Sequence, residues 1–245
     1  MRAEVEKPLN RAFRCRLAVI LTLGVAALPW GAGLALPRKG KLPPPLTEIL
    51  SHMNESAKRL KTISASLEYT KVTVLVDDKS TESGQLLFRK GKSADILIDI
   101  QKPDAKTILF RKNRAEIFNP RINQIQEYDL EEKSNLVEQF FLLGFGTDTD
   151  RLKKEYELKF LKEENLDGDT TVVLELTPRS EETLAQISTI TLWVSEESWL
   201  PVQQKFLQPG GDYFIARYTN VKVNRALPSS AFQISAKDAK RVKMN

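Results

Sequence analysis

Eleven stretches of this chain alternate apolar and polar residues with a period of two, and turn chemistry separates them. Successive side chains of a strand point to opposite faces, so this pattern encodes a sheet with one dry face and one wet face. The first set is ASLEYTKVTVLV, GQLLFRK, SADILIDIQ, AKTILF, RAEIFN and INQIQEYD. The second is EYELKFLKEEN, TTVVLELTP, ISTITLWV, VQQKFLQ and YFIARYTNVKV. The links hold DDKSTES, Lys102-Pro103-Asp104, Asn119-Pro120, Asp167-Gly168-Asp169 and Pro209-Gly210-Gly211-Asp212. Gly supplies positive φ, Pro fixes φ, and Asn and Asp bond their own backbone, so these are turns. Short links imply antiparallel neighbours. About eleven such strands form one broad sheet, curled into a barrel or half barrel to limit its free edges.

Side-chain parity orients the sheet. Ala94, Ile96, Ile98 and Ile100 share one face, and Asp95 and Asp99 share the other. Unpaired carboxylates do not sit in cores, so the isoleucine face is the inner one. Leu86, Phe88 and Lys90 share a parity against Gln85 and Arg89, and Ile190, Leu192 and Val194 alternate with Thr189, Thr191 and Trp193. With Leu109 from AKTILF, these apolar residues are the expected lining of the concave face. An alternating face of this kind makes either a plain core or a ligand cavity.

Two segments break the period. Leu46, Ile49, Leu50, Met53, Ala57, Leu60 and Ile63 recur at spacings of three and four, an amphipathic helix with Thr47 as a candidate cap. His52, the single histidine, lies beside the stripe, where a solvated side chain is expected. Between the two strand sets, NLVEQFFLLGFGTDTDRLKK concentrates Leu136, Phe140, Phe141 and Leu143 with further apolar residues. A helix apolar all round is buried on more than one side. It is either a core plug or a greasy lid over the open side of the sheet.

The first 35 residues stand apart. MRAEVEKPLNRAFRCR carries five cations and two acids, LAVILTLGVAAL is an apolar run, and Gly33 and Ala35 are small residues at signal-peptidase spacing. This is the order of a secretory signal peptide with cleavage after Ala35, the alternative being an uncleaved membrane anchor. The chain's 37 cations and 32 acids fall to 32 and 30 once that segment is removed, so the basic balance belongs to the export signal. A nucleic-acid role, which needs a basic patch, loses its support. Cys15 precedes the apolar run, so a lipobox anchor is excluded and no disulfide is available after cleavage. Residues 36–45 form a Pro-rich extended leader. Residues 46–245 form the expected single domain. No Ser-His-Asp set, glycine-rich phosphate loop or His/Cys cluster appears, and Glu131-Glu132 and Glu163-Glu164 are adjacent carboxylates read as solvated, so the sequence does not support catalysis. No cofactor and no metal are expected.

Several stretches resemble one family. GQLLFRKGK resembles a Gly-x-Leu-x-apolar-x-Arg-Pro strand, with Lys90-Gly91 standing for Arg-Pro. PDAKTILFRKNRAEIFNP, the apolar segment at 136–146 and AFQISAKDAKRVKMN follow in the matching order. Together they resemble the outer-membrane lipoprotein carrier protein, LolA, and its lipoprotein-sorting relatives. The resemblance implies an incomplete antiparallel β-barrel around an apolar cavity, covered by lid helices. It implies a monomeric periplasmic carrier of acylated lipoproteins. Its partners would be an inner-membrane releasing ABC transporter and an outer-membrane receptor. A lipid- or lipoprotein-sensing module of the same fold is the alternative. The cavity would be lined by Leu86, Phe88, Ile96, Ile98, Ile100, Leu109, Ile190, Leu192 and Val194. Leu136, Phe140, Phe141 and Leu143 would form the lid, and Lys90 its latch.

Overall fold

The computed structural model describes residues 44–91, 94–130, 143–146 and 148–244. The chain divides into two units, residues 1–41 and 42–245. The expected export signal and the lid positions Leu136, Phe140 and Phe141 lie outside the described residues.

Helix α1 (Leu46–Arg59) opens the described chain. Pro45 is its N-cap, extended at φ −60° and ψ 148°, and no side chain caps the helix. Thr47 therefore lies inside the first turn instead of capping it. The apolar stripe buries Ile49, Leu50, Met53 and Ala57. Glu48 in the first turn and Lys58 and Arg59 in the last complement the helix dipole.

Six strands follow: β1 (Thr62–Thr73), β2 (Asp78–Arg89), β3 (Asp95–Lys102), β4 (Lys106–Arg111), β5 (Arg114–Asn119) and β6 (Gln124–Asp129). After the short helix α2 (Thr149–Glu155) come β7 (Tyr156–Leu166) and β8 (Asp169–Pro178). A single helical turn, α3 (Glu181–Leu184), leads to β9 (Thr189–Ser195), β10 (Pro201–Leu207) and β11 (Tyr213–Val223). A 3-10 turn at Ser229–Phe232 precedes β12 (Lys240–Met244). All eleven expected strands are present, and β12 is a twelfth.

The sheet order is β12-β6-β5-β4-β3-β2-β1-β11-β10-β9-β8-β7. Each meander pairs its consecutive strands antiparallel, β1 joins the two through β11, and among the described strands β12 alone pairs parallel, on β6. The strands at the two ends of this order do not pair with each other, so the sheet is an incomplete barrel. Gly84 shows why the β2 motif begins with glycine. The β2–β3 register shifts between Ser83 and Gly84, and a Cβ at Gly84 would stand 2.0 Å from the Asp99 carbonyl oxygen.

Both faces of the sheet carry apolar clusters. On the inner face α1 lays Ile49, Leu50 and Met53 against Val172, Leu174 and Leu176 of β8 and Ile190, Leu192 and Val194 of β9. A second inner cluster gathers Leu60, Ile63, Leu86, Phe88, Ile96, Ile98 and Phe145. On the outer face Leu97 and Leu109 pack under Phe232. Asp95 lies there as expected and meets Arg89 at 2.6 Å and Arg111 at 3.0 Å, one from each neighbouring strand. Asp99 accepts from the Thr107 hydroxyl at 2.9 Å.

Candidate functional site

Among the described residues, one half of the concave face is filled and the other borders a hollow. Where α1 lies, the inner residues of β8 and β9 are covered completely. Towards β1–β4 and β10–β11 a cavity of about 410 Å³ remains. Leu67, Leu86, Ile98, Ile100 and Ile108 line it from the first meander, and Phe206, Phe214, Ala216 and Tyr218 from the second. The Phe206 and Phe214 rings stack with centroids 4.7 Å apart. The volume lies within the range of small-ligand sites, roughly 300–1,000 Å³. Taking a methylene as about the size of a water molecule, roughly 30 Å³, the cavity holds about fourteen of them. A hollow of about 500 Å³ near Leu166, Leu200, Val202 and Val221 is larger, but Asp167, Asp169, Ser195 and Arg217 interrupt its apolar lining, which suits an acyl chain less well.

A buried polar chain crosses the inner face beside the cavity. Tyr218 donates its hydroxyl to Gln204 Oε1 at 2.9 Å, and Gln204 Nε2 donates to the Leu143 carbonyl at 2.7 Å. Burial pushes the Tyr218 phenol far above its ordinary range, so it stays a donor. Gln204 is 1 % exposed, and both ends of its amide are satisfied. This chain ties Leu143, itself fully buried, to β10 and β11. Gly144, with φ at +82°, turns the backbone away next to Pro201. Phe145 then meets Tyr218 edge-on at 4.9 Å.

The predicted lining residues divide into three groups. Leu86, Ile98 and Ile100 line the cavity. Phe88, Ile96, Ile190, Leu192 and Val194 face the same side but are packed inside the inner clusters, at most 2 % exposed, because α1 and neighbouring side chains already cover them. Leu109 is on the wrong face. It pairs with Leu97, while Ile108 pairs with Ile98 and takes the inner position. The run Ile108-Leu109-Phe110 is apolar on both parities, so alternation could not choose between them. The sequence reading also missed Leu67, Tyr69, Gln204, Phe206, Phe214 and Tyr218 as lining. Phe206 and Gln204 could have been found from their shared parity; the β1–β11 pairing that sets Leu67 opposite Tyr218 and Tyr69 opposite Ala216 leaves no local signal.

Lys90 has a definite partner. Its Nζ donates to the Ala57 carbonyl at 3.2 Å, an orphan acceptor in the last turn of α1. The backbone N–H of Lys90 donates to Lys61 O at 2.7 Å. Among the described residues this contact with α1 is the one Lys90 Nζ makes; the expected lid segment lies outside them. His52 is not simply solvated: its ring stacks on Trp199 at 4.4 Å, with Glu48 Oε1 at 3.8 Å from Nε2.

The charged part of the cavity lining comes from Glu82 and Lys106, with the Tyr69 ring beside them. Lys106 Nζ lies 2.6 and 2.9 Å from the two Glu82 oxygens. Burial first, and then the Glu82 charge, raise the pKa of the Tyr69 phenol. Among the described residues no group of three or more His, Cys, Asp or Glu could hold a metal ion. Nor is any described helix long and apolar enough to cross a membrane.

Solved structures are similar to this chain to different degrees. MucB is 16 % identical over 78 % of this chain and 62 % of its own, with a TM-score of 0.52. The chain has the fold of MucB. It spans about three fifths of the length of the MucB structures it matches. An uncharacterized conserved protein from Thermus thermophilus is 11 % identical, covering 81 % of this chain and 98 % of its own, with a TM-score of 0.54. A LolA superfamily protein from Nitrosomonas europaea is 17 % identical, covering 77 % of this chain and 97 % of its own, with a TM-score of 0.39. A family model described only as an uncharacterized protein matches residues 117–226. No curated protein matches the sequence.

Proposed function

We propose that this chain shelters an acyl chain in the cavity between β1–β4 and β10–β11, and that it does so as a periplasmic carrier of lipid or acylated protein. The observation that carries this reading is the hollow that the described residues leave in an otherwise packed concave face. Leu86, Ile98, Ile100 and Ile108 face Phe206 and Phe214 across about 410 Å³. Leaving an acyl chain in water costs about 0.8 kcal/mol per CH2, so a carrier needs an apolar hollow of this size. In its finer form, the cargo is the acyl part of lipoproteins. They would be taken from an inner-membrane ABC transporter and passed to an outer-membrane receptor, as the resemblance to LolA implies. The reading is one of binding, not of catalysis.

The test is mass spectrometry of whatever co-purifies with the mature protein from the periplasm. Acylated species should be present and should exchange for a fluorescent fatty acid. A preparation that carries no acyl species and takes up no probe ends the reading. A sensing module is the second reading. MucB, whose fold this chain shares, has been crystallised with MucA, so a protein partner on the same scaffold is the competing role. Cargo that passes to acceptor vesicles favours the carrier; cargo that stays bound while a membrane-protein partner is captured or released favours the sensor.

A further inference from the structure

The Glu82–Lys106 pair is placed where the head group of a bound amphiphile would lie. The two residues belong to β2 and β4, and the pair spans the inner face across β3, whose Ile98 and Ile100 line the cavity with them. Their side chains are 28 % and 33 % exposed, so they are open to a ligand and to water. Lys106 has three donors and Glu82 four lone-pair sites, and their mutual contact consumes only part of each set. A ligand can therefore accept from Lys106 and donate to Glu82 without breaking the pair.

That arrangement selects by charge. A carboxylate or phosphate anion would meet a lysine whose charge is already balanced, with a carboxylate beside it. A quaternary ammonium would meet the reverse and could donate no hydrogen bond. Building on the acyl-binding reading above, we infer that the cavity takes amphiphiles with a net-neutral head that carries both a donor and an acceptor, read by Glu82 and Lys106. Such a head is found in an amide-linked acyl chain and in a zwitterionic lipid bearing a primary ammonium.

The experiment is calorimetric titration of the delipidated mature protein with four probes of the same saturated chain, each below its micellar concentration. They are N-palmitoylethanolamine, palmitoyl lysophosphatidylethanolamine, palmitate and hexadecyltrimethylammonium. The first two should bind at least about fivefold more tightly than the last two, a factor set by a partly exposed ion pair. Whichever of the first two binds more tightly identifies the amide or the zwitterion as the source. In Glu82→Gln the balance between palmitate and the ammonium probe should move about fivefold towards palmitate, and in Lys106→Gln it should move towards the ammonium. Equal binding of all four probes by the unmutated protein, or preference for either charged probe, overturns the inference while leaving the acyl reading in place. If none of the four binds, both fall together. The selectivity of the unmutated protein decides the matter should either variant fail to fold.

Discussion

Ile98 is the residue on which the cavity assignment can be tried most directly. It is 3 % exposed, lies opposite Leu86 on one side and Ile108 on the other, and lines the hollow with both. In Ile98→Glu a carboxyl replaces a methyl-lined wall. Burying even the neutral acid there costs about 1–3 kcal/mol of stability, and at pH 7 acyl-probe affinity should fall at least tenfold. Affinity must be measured where the variant is still folded; an unchanged value would remove this face from the site. Lys90 is a different case, because the partner it has among the described residues is α1, while the lid positions Leu136, Phe140 and Phe141 lie outside them. Its hydrogen bond to Ala57 O pins the end of α1 to the exit of β2. Since Lys90 is exposed, solvent screens the contact and holds its worth below about 1 kcal/mol. Lys90→Leu should then lower Tm by about 2–4 °C or less and leave acyl affinity and off-rate unchanged. A rise in affinity with slower release would instead give Lys90 the lid-latch role.

The elements separate into those with a local code and those without one. Hairpins such as β9–β10 could be read from alternation and turn residues, since both determinants lie within a few positions. The last twenty residues could not be read this way. Lys240–Met244 is mostly cationic and looks solvated, yet it becomes β12 because Arg241 lies between Glu116 of β5 and Glu127 of β6, both acids of neighbouring strands. Phe232 is fully buried on the outer face, where Leu97 and Leu109 alone would be an exposed apolar patch. The Arg89 guanidinium sits 4.6 Å from its ring centroid, and Arg111 donates to its carbonyl at 2.7 Å. Phe232→Ala should therefore cost about 3–5 kcal/mol, measured as a shift in the urea midpoint without a change of slope. Ending the chain after Arg225 removes both the cover and the β12 strand, leaving the β6 edge open. Such an edge invites pairing with another chain, so size-exclusion chromatography should find the truncated protein associated or aggregated where the full mature chain is not.

The assembly of the two meanders explains why the site was harder to read than the fold. Eleven of the twelve strands, their order within each meander and the inner parity of β2 and β3 were available from the sequence, because each depends on neighbours a turn away. The β1–β11 junction joins residues such as Leu67 and Tyr218 that are remote in the chain, and it decides which strands face each other across the hollow. Equally, no periodicity tells that, among the described residues, α1 fills the inner face over β8 and β9 and leaves a hollow beside β1–β4. Hence Ile190, Leu192 and Val194, which look in sequence like Ile98 and Ile100, become core. An apolar wall bordering a hollow also has a thermodynamic signature, because a ligand that binds only the folded sheet stabilises it by mass action. At a free concentration of 100 times Kd the gain is about 2.7 kcal/mol. For a domain of this length that gain raises Tm by about 5–10 °C. Differential scanning fluorimetry of the delipidated protein with a palmitoyl amphiphile should give a rise of that order, growing with the logarithm of ligand concentration. The same titration on Ile98→Glu should give little or none, whereas Leu109→Ala, on the outer face, should start from a lower Tm and keep the full ligand-dependent rise. Loss of the rise in Leu109→Ala, or its persistence in Ile98→Glu, would place the ligand somewhere other than the hollow half of the concave face.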